Sequence, residues 1–199
     1  MKYYAVRQGR QIGIFTDWDE CKKLVMGYKG AEYKSFTSRE DAVAFMNGIE
    51  AKKDVPVTPD ETTAVAYVDG SYNIHTKVFA CGVVILYGGE EIKLNESFSD
   101  EELATMRNVA GEINGSMMAM KYCFDNNIPN LHLFYDYEGI EKWCTGAWKT
   151  NKTGTIDYKS FYDSIKNNLK VTFHKVKGHS GDKYNDMADR LAKDAAGVE

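Results

Sequence analysis

No stretch of the chain approaches the roughly 18–20 consecutive apolar residues that cross a bilayer, so no membrane role is expected. The opening residues, MKYYAVRQGR, lack the apolar centre of a secretory signal. Cysteine is sparse, and Cys21, Cys81, Cys123 and Cys144 form no CxxC pair. Without a zinc or dithiol motif they read as buried free thiols in a reducing cytosol, which places the protein in the cytoplasm. There is no internal repeat and no long low-complexity tract.

Proline is also scarce. Two of the three prolines fall in residues 48–63, GIEAKKDVPVTPDETT, which has almost no large apolar side chain and reads as a linker. Charge divides across it. Residues 1–53 hold ten Lys/Arg and seven Asp/Glu, a net of +3, and the remainder holds fifteen and twenty-two, a net of −7. A total of −4 argues against a nucleic-acid partner only if charge is uniform. A basic piece joined to an acidic body can bind nucleic acid where divalent cations sit among the carboxylates.

Upstream of the linker, YYAV and GIF read as strands around the turn RQGRQ. Thr16-Asp17 caps a helix DWDECKKLVMGY, AEYKSF is a third strand, and Thr37-Ser38 caps a helix SREDAVAFMNG with Val43 and Met46 on one face. This ββαβα unit is near the lower size limit for independent folding. Downstream, AVAYV, ACGVVILY and EEIKLNESF read as strands, the last two joined at Gly88-Gly89. A helix from about Met106 to Phe124 carries the stripe Ile113, Met117, Met120, Phe124. Then follow a strand LHLFYD, a short helix near Tyr137–Cys144, a polar loop AWKTNKTGT, a helix around Tyr158–Asn167, a strand KVTFHKV, and an amphipathic last helix with Tyr184, Met187, Ala188, Leu191, Ala192 and Ala195. The order βββαβααβα predicts an α/β (mixed α+β) fold, a five-stranded mixed sheet flanked by helices.

The pair Asp69-Gly70 in YVDGSYN has two readings. Asp-Gly is a common turn pair. Alternatively, Asp69 ends a strand as a functional carboxylate. Asp136 ends the strand LHLFYD, and parallel neighbours would put both at the edge where α/β sheets place active sites. Glu112 lies in the first turns of a helix beside the core residue Ile113. Asp189 lies beside Ala188 in the last helix, where a solvated face is the plain alternative. Four carboxylates brought together repel and lose hydration unless hard cations join them, and an all-oxygen site suits Mg²⁺ or Mn²⁺ rather than Zn²⁺.

The motifs AYVDGSYN, RNVAGEINGSMMAM, LFYDYEGIEKW and KVKGHSGDKYNDMADRLAK, in this order over about residues 62–197, resemble type 1 ribonuclease H. The resemblance implies an endonuclease that hydrolyses the RNA strand of RNA–DNA hybrids, leaving 5′-phosphate and 3′-hydroxyl ends. It implies two Mg²⁺ ions, with Mn²⁺ an alternative, held by Asp69, Glu112, Asp136 and Asp189, and a catalytic histidine at His179, otherwise read as an exposed loop residue. Asn108 matches a hybrid-contacting position and lies at i−4 from Glu112. Gly70, Ser71 and Asn73 can bring backbone amides to the RNA strand, with Gly70-Ser71 leaving room for its backbone. Trp143 and WKTNK can hold the DNA strand, or Trp143 is a core residue beside a solvated lysine loop.

The segments YYAVRQGRQIGIFTDWDECKKLV and GAEYKSFTSREDAVAFM resemble the small hybrid-binding domain that precedes the nuclease in ribonucleases H1. That gives hybrid contacts at Tyr4, Arg10, Trp18, Tyr33 and Lys34, with Trp18 exposed. The expected division is a hybrid-binding domain at 1–48, a linker at 49–62 and a catalytic domain at 63–199. The expected partner is hybrid nucleic acid, with no obligate protein partner. The rivals are another nuclease of the same fold, an exonuclease or a junction resolvase, and a non-catalytic hybrid-binding protein. Gly-Ser after Asp69 argues against the exonuclease, which carries a second acid two residues on, and the full set of acids argues against a binding protein.

Overall fold

The computed structural model describes residues 2–36, 39–46, 58–176 and 182–198. The chain divides into two compact units, Met1–Pro56 and Val57–Glu199.

The first unit contains β1 (Tyr3–Gln8), β2 (Gly13–Phe15), α1 (Trp18–Val25), β3 (Glu32–Phe36) and α2 (Arg39–Met46). Its antiparallel sheet has the order β2-β1-β3. The Asp17 carboxylate caps α1 by accepting from the Glu20 amide at 2.9 Å. Alternation along β1 turns Val6 inward against Cys21 and Val25 of α1. Helix α2 buries Ala42, while Val43, expected to share the inner face with Met46, is exposed. The reason is angular, since 42 and 46 are one helical turn apart and 43 is rotated by about 100° from 42. The expected cap Thr37-Ser38 lies outside the described residues.

The second unit contains β4 (Thr63–Tyr72), β5 (Phe79–Tyr87), β6 (Glu90–Phe98), α3 (Glu101–Ala104), α4 (Asn108–Asp125), β7 (Asn130–Tyr135), α5 (Gly139–Cys144), α6 (Thr153–Ile165), β8 (Lys170–Lys175) and α7 (Lys183–Ala196). Its sheet order is β6-β5-β4-β7-β8. The β4–β5 and β5–β6 pairs are antiparallel, and β4–β7 and β7–β8 are parallel. This is the expected five-stranded mixed sheet. Gly88 and Gly89 turn the β5–β6 hairpin with φ of 57° and 83°, values that glycine adopts without steric cost.

Three features differ from expectation. The single turn α3 was not foreseen, although Asp100 caps it by accepting from the Leu103 amide at 2.8 Å. Four residues are too few to display a helical period. Helix α6 begins at Thr153, inside the expected polar loop. There the Lys152 amide donates to the Thr155 hydroxyl at 3.2 Å, and Gly154 lets the first turn pack on Leu103. Phe124 is 44% exposed, because the buried face of α4 runs through Ser116, Ala119, Met120 and Cys123 and leaves Phe124 at its border.

Helices approach both faces of the sheet through glycine. A Cβ on Gly70 would lie 2.2 Å from the Asn108 carbonyl and 2.5 Å from the Glu112 amide of α4. A Cβ on Gly82 of β5 would lie 2.0 Å from the Ala188 carbonyl and 2.6 Å from the Ala192 amide of α7. The obstacles are helix backbone, which cannot yield as a side-chain tip can. Gly82→Ala is therefore expected to lower stability by about 1–3 kcal/mol, the cost of overpacking. Denaturant unfolding of the full chain checks this. A midpoint equal to that of the native chain would mean α7 does not rest on β5 in this way.

Candidate active site

The site lies where the parallel pairing of β4 and β7 ends. Pairing runs to Tyr67↔Phe134, and continuing that register by two residues sets Asp69 opposite Asp136. Asp69 does not end its strand, as expected, nor does it begin a turn. Strand β4 continues to Tyr72, paired there with β5 alone, so Asp69 sits inside a strand that has lost one neighbour. Its partner across β4–β5 is Gly82, and paired residues share a face of the sheet. Asp69 therefore faces α7, while Gly70 faces α4. Asp136 follows the last residue of β7. It is held in place by its neighbour Tyr135, whose hydroxyl donates to Glu141 of α5 at 2.8 Å and whose carbonyl accepts from the Val176 amide at 2.8 Å.

Glu112 reaches the same point from the other face. Helix α4 meets β4 backbone to backbone at Gly70, and this carries Glu112 to the sheet margin, where it is 1% exposed. Single carboxylate oxygens of Asp69, Glu112 and Asp136 all lie within 4.8 Å of one another. Asp189 is outside that cluster but lines the same cleft of about 440 Å³, with its carboxylate paired to Lys193 at 2.8 Å. Asn108, Gly70 and Ser71 also line it.

Other expected contacts have different surroundings. Gly70 rests its bare backbone directly on α4, so helix approach and not room for nucleic acid explains the glycine. The Asn73 amide donates to the Val78 carbonyl at 2.8 Å, so it is occupied within the loop. The Asn73 side chain donates to the carbonyls of Ala196 and Gly197 and ties the end of β4 to the end of α7. Trp143 is a core residue, 7% exposed, that also lines a separate hollow with Lys149, Asn151 and Lys152. Trp148, within WKTNK, is the more exposed indole, with the Lys142 ammonium 5.5 Å from its ring centroid. His179 lies outside the described residues. The cleft also includes Tyr72, Ile74, Arg107 and Lys193, which sequence reasoning did not name. Lys193 was readable at i+4 from Asp189. Arg107 carried no sequence signal, because its place depends on the turn between α3 and α4.

In the N-terminal unit, Tyr4, Trp18 and Tyr33 form one aromatic cluster, with centroids 5.2 Å apart for Tyr4–Trp18 and 6.1 Å for Trp18–Tyr33. Trp18 is 39% and Tyr33 41% exposed, so the rings offer a surface. Lys34 beside them is exposed. Arg10 uses Nη1 on the Lys23 and Met26 carbonyls, closing the end of α1, so its first role is structural.

A family model described as RNase H matches residues 61–197. The chain belongs to the ribonuclease H family. A second model, described as the ribonuclease H1 N-terminal domain, matches residues 2–46. The chain is 26% identical to ribonuclease H1 of Rattus norvegicus, over 98% of this chain and 89% of that one. It is 34% identical to ribonuclease H of Ruthia magnifica subsp. Calyptogena magnifica, over 64% of this chain and 91% of the relative. The fold is similar to that of RNase H1 from Halobacterium salinarum, with TM-score 0.56 and 22% identity over 67% of this chain and 96% of that one. Membership makes this ribonuclease H an RNA–DNA hybrid endoribonuclease of a divalent-metal-dependent family. Among the described residues, no helix is long and apolar enough to cross a membrane.

The donor set of the ribonuclease H cleft fits a hard cation. Glu112 Oε2 is buried without a hydrogen-bond partner among the described residues. Burial raises the Glu112 carboxyl well above the usual range, and hydrogen bonding and repulsion from Asp136, then Asp69, add to it. The proton is thus held more tightly in the folded than in the unfolded chain. Its contribution to stability is complete below the ordinary carboxylate pKa, and is lost as pH rises through the raised folded value. In EDTA the native chain should lose stability from about pH 5 upward, and Glu112→Gln should flatten that fall. Added Mg²⁺ should restrain the native loss at high pH and help the variant less. Thermal melts across pH decide this, and identical profiles for the two proteins would count against it.

Proposed function

We propose that the chain hydrolyses the RNA strand of RNA–DNA hybrids internally with two Mg²⁺ ions, leaving 5′-phosphate and 3′-hydroxyl ends. The observation that carries this reading is the meeting of Asp69, Glu112 and Asp136 within 4.8 Å, in a chain of this family. When bound, a pair of divalent ions activates the attacking water and stabilises the leaving 3′ oxygen. Asp69, Glu112 and Asp136 would hold the ions, and Asp189, paired with Lys193 here, would be a further ligand. Mn²⁺ satisfies the same oxygen donors. The matched histidine, His179, moves a proton or assists product release.

Selection of the RNA strand requires a reader of 2′-hydroxyls. Asn108 supplies a donor and an acceptor at the cleft margin, and Gly70 and Ser71 bound the space beside it. Trp148 and the neighbouring lysines take the DNA strand, with Trp143 behind them as support. In the N-terminal unit, Tyr4, Trp18 and Tyr33 stack on the hybrid while Lys34 meets phosphate. The proposed domains are 1–48 for hybrid binding, 49–62 as linker and 63–199 for catalysis, in a cytoplasmic protein.

Strand-labelled hybrid, duplex RNA and duplex DNA, each incubated with the protein and Mg²⁺, test the activity. RNA in the hybrid should be cut internally and its DNA partner spared, with Asp136→Asn inactive yet still binding. Equal cutting of both strands, or full activity in EDTA, would falsify the reading. A separate measurement addresses the N-terminal unit. Trp18→Ala in the full chain should weaken binding of long hybrids by about 1–3 kcal/mol, the worth of one stacking contact, without changing cleavage chemistry. Unchanged affinity would remove the aromatic cluster from the substrate surface.

A further inference from the structure

Away from the carboxylate cleft, the sheet face that carries Asp69 also holds two histidines. Val65, Tyr67 and Asp69 alternate onto that face along β4. The parallel register sets His132 of β7 beside Val65, and Phe134 beside Tyr67. On the other side it sets His132 beside Thr172 of β8, and Phe134 beside His174. His132 and His174 are therefore diagonal neighbours on adjacent strands and share one face. Helix α7 packs over β4, β5 and β6, and both histidines are half-buried.

Their ring nitrogens meet. Nδ1 of His132 lies 2.7 Å from Nε2 of His174, with the ring planes 21° apart. In the neutral pair one proton bridges these nitrogens, so each ring directs a nitrogen at the same point. An aromatic row sets the plane of His174. Its ring lies on Phe134, with centroids 4.5 Å apart and planes 11° apart. Phe134 in turn lies on Tyr67 at 4.6 Å, and Tyr67 meets Tyr184 of α7 at 5.4 Å. Burial, then the neighbouring His174 and Lys170, lower the His132 pKa and favour its neutral ring.

We propose that His132 and His174 form a binding site for one late first-row transition-metal ion, Cu²⁺ or Zn²⁺, that ties β8 to β7. Neutral imidazole suits these ions, whereas Mg²⁺ prefers oxygen, so the site is chemically distinct from the carboxylate cleft. At metal–nitrogen distances of about 2.0–2.1 Å, two ligand nitrogens stand about 2.9 Å apart at a right angle and about 3.3 Å apart at a tetrahedral one. The 2.7 Å separation lies close to the first value. Small rotations about the broad terminal torsions of two half-buried rings open the pair. The bridging proton passes to the other nitrogen of its own ring, so both rings stay neutral, and water supplies the remaining ligands. Lys170 shares this face and opposes a cation there, but its side chain is exposed and can turn into solvent. In the sheet order β8 is an edge strand held by β7, so a ligand pair across them adds a link where the sheet ends.

The test titrates Cu²⁺ and Zn²⁺ salts into the full chain by calorimetry in excess Mg²⁺, which occupies oxygen sites and leaves imidazole available. Electron paramagnetic resonance follows the bound Cu²⁺. The variants are His132→Gln, His174→Gln and Lys170→Gln, with His75→Gln and His179→Gln removing the other two histidines of the chain. Cu²⁺ should bind more tightly than Zn²⁺, with the nitrogen splitting of two imidazoles. Loss of either His132 or His174 should weaken binding by at least about tenfold, because even an outer partner of a metal ligand is worth that much. Lys170→Gln should tighten binding, and the other two variants should match the native chain. Zn²⁺ should also slow amide exchange along β8 in the native chain and not in His174→Gln. Unfolding midpoints without Cu²⁺ or Zn²⁺ identify the variants that fold, and the spectrum of the native chain decides the ligands even where a variant does not. Native affinity in either folded variant at 132 or 174, loss of affinity in His75→Gln or His179→Gln, or Cu²⁺ bound without two imidazole nitrogens would overturn the site. Metal binding and hybrid cleavage are measured separately, so failure of the ribonuclease reading leaves this result intact.

Discussion

The second unit depends on a contact between backbones. Gly70 of β4 and Gly111 of α4 meet without side chains, and a Cβ on Gly111 would lie 2.1 Å from the Ala80 carbonyl and 2.8 Å from the Gly70 Cα. Helix and strand therefore approach more closely than packed side chains allow. On the opposite face, Gly82 permits the same approach by α7. Strand and helix are held so near that the residue next to each contact has little freedom. Asp69 precedes Gly70, Glu112 follows Gly111, and Asp189 follows Ala188. Backbone packing thus delivers carboxylates from both faces to one margin of the sheet.

The electrostatic cost of that arrangement is concentrated at Glu112. It is the most buried of the acids, one of its oxygens lacks a hydrogen-bond partner among the described residues, and its neighbours carry the same charge. Such a group is an expensive way to build a core, since an apolar residue of similar size would need no compensation. It is explained by a cation that the family requires and that three convergent oxygens suit. Around this acidic centre the cations are placed selectively. Lys193 pairs with Asp189, whereas Lys77 and Arg107 line a neighbouring hollow. The two units divide the problem in a similar way. The N-terminal unit presents exposed aromatic rings and carries the net positive charge, and the other unit carries the acids.

Much of the architecture was legible in one sequence because it follows from local patterns. Alternation of apolar residues located the strands, the Gly88-Gly89 pair located the hairpin, and Asp17 marked the start of α1. That Asp69, Glu112 and Asp136 would converge was legible from the strand and helix ends beside which they lie and from the resemblance of their motifs. The turn α3, the early start of α6 and the exposure of Phe124 were not legible. Each depends on what a distant segment covers: Gly154 meets Leu103 of α3, about fifty residues earlier in the chain.

By itself the sequence determined the order of the strands and longer helices and the presence of a basic piece and an acidic body, because these are set by residue type and spacing of two or 3.6. Tertiary structure decided the rest. It extended β4 past Asp69, because β5 goes on pairing after β7 has ended. It assigned Gly70 to helix packing and Asn73 to the end of α7, and it buried Trp143 while exposing Trp148. It separated Asp189 from the three clustered acids by giving it Lys193. It also placed Arg107 and Lys77 on one wall, thirty residues apart in the chain, through backbone angles that no side-chain pattern encodes. Residue chemistry is local and is written in the sequence, but which groups meet is a property of the closed sheet and the helices pressed against it.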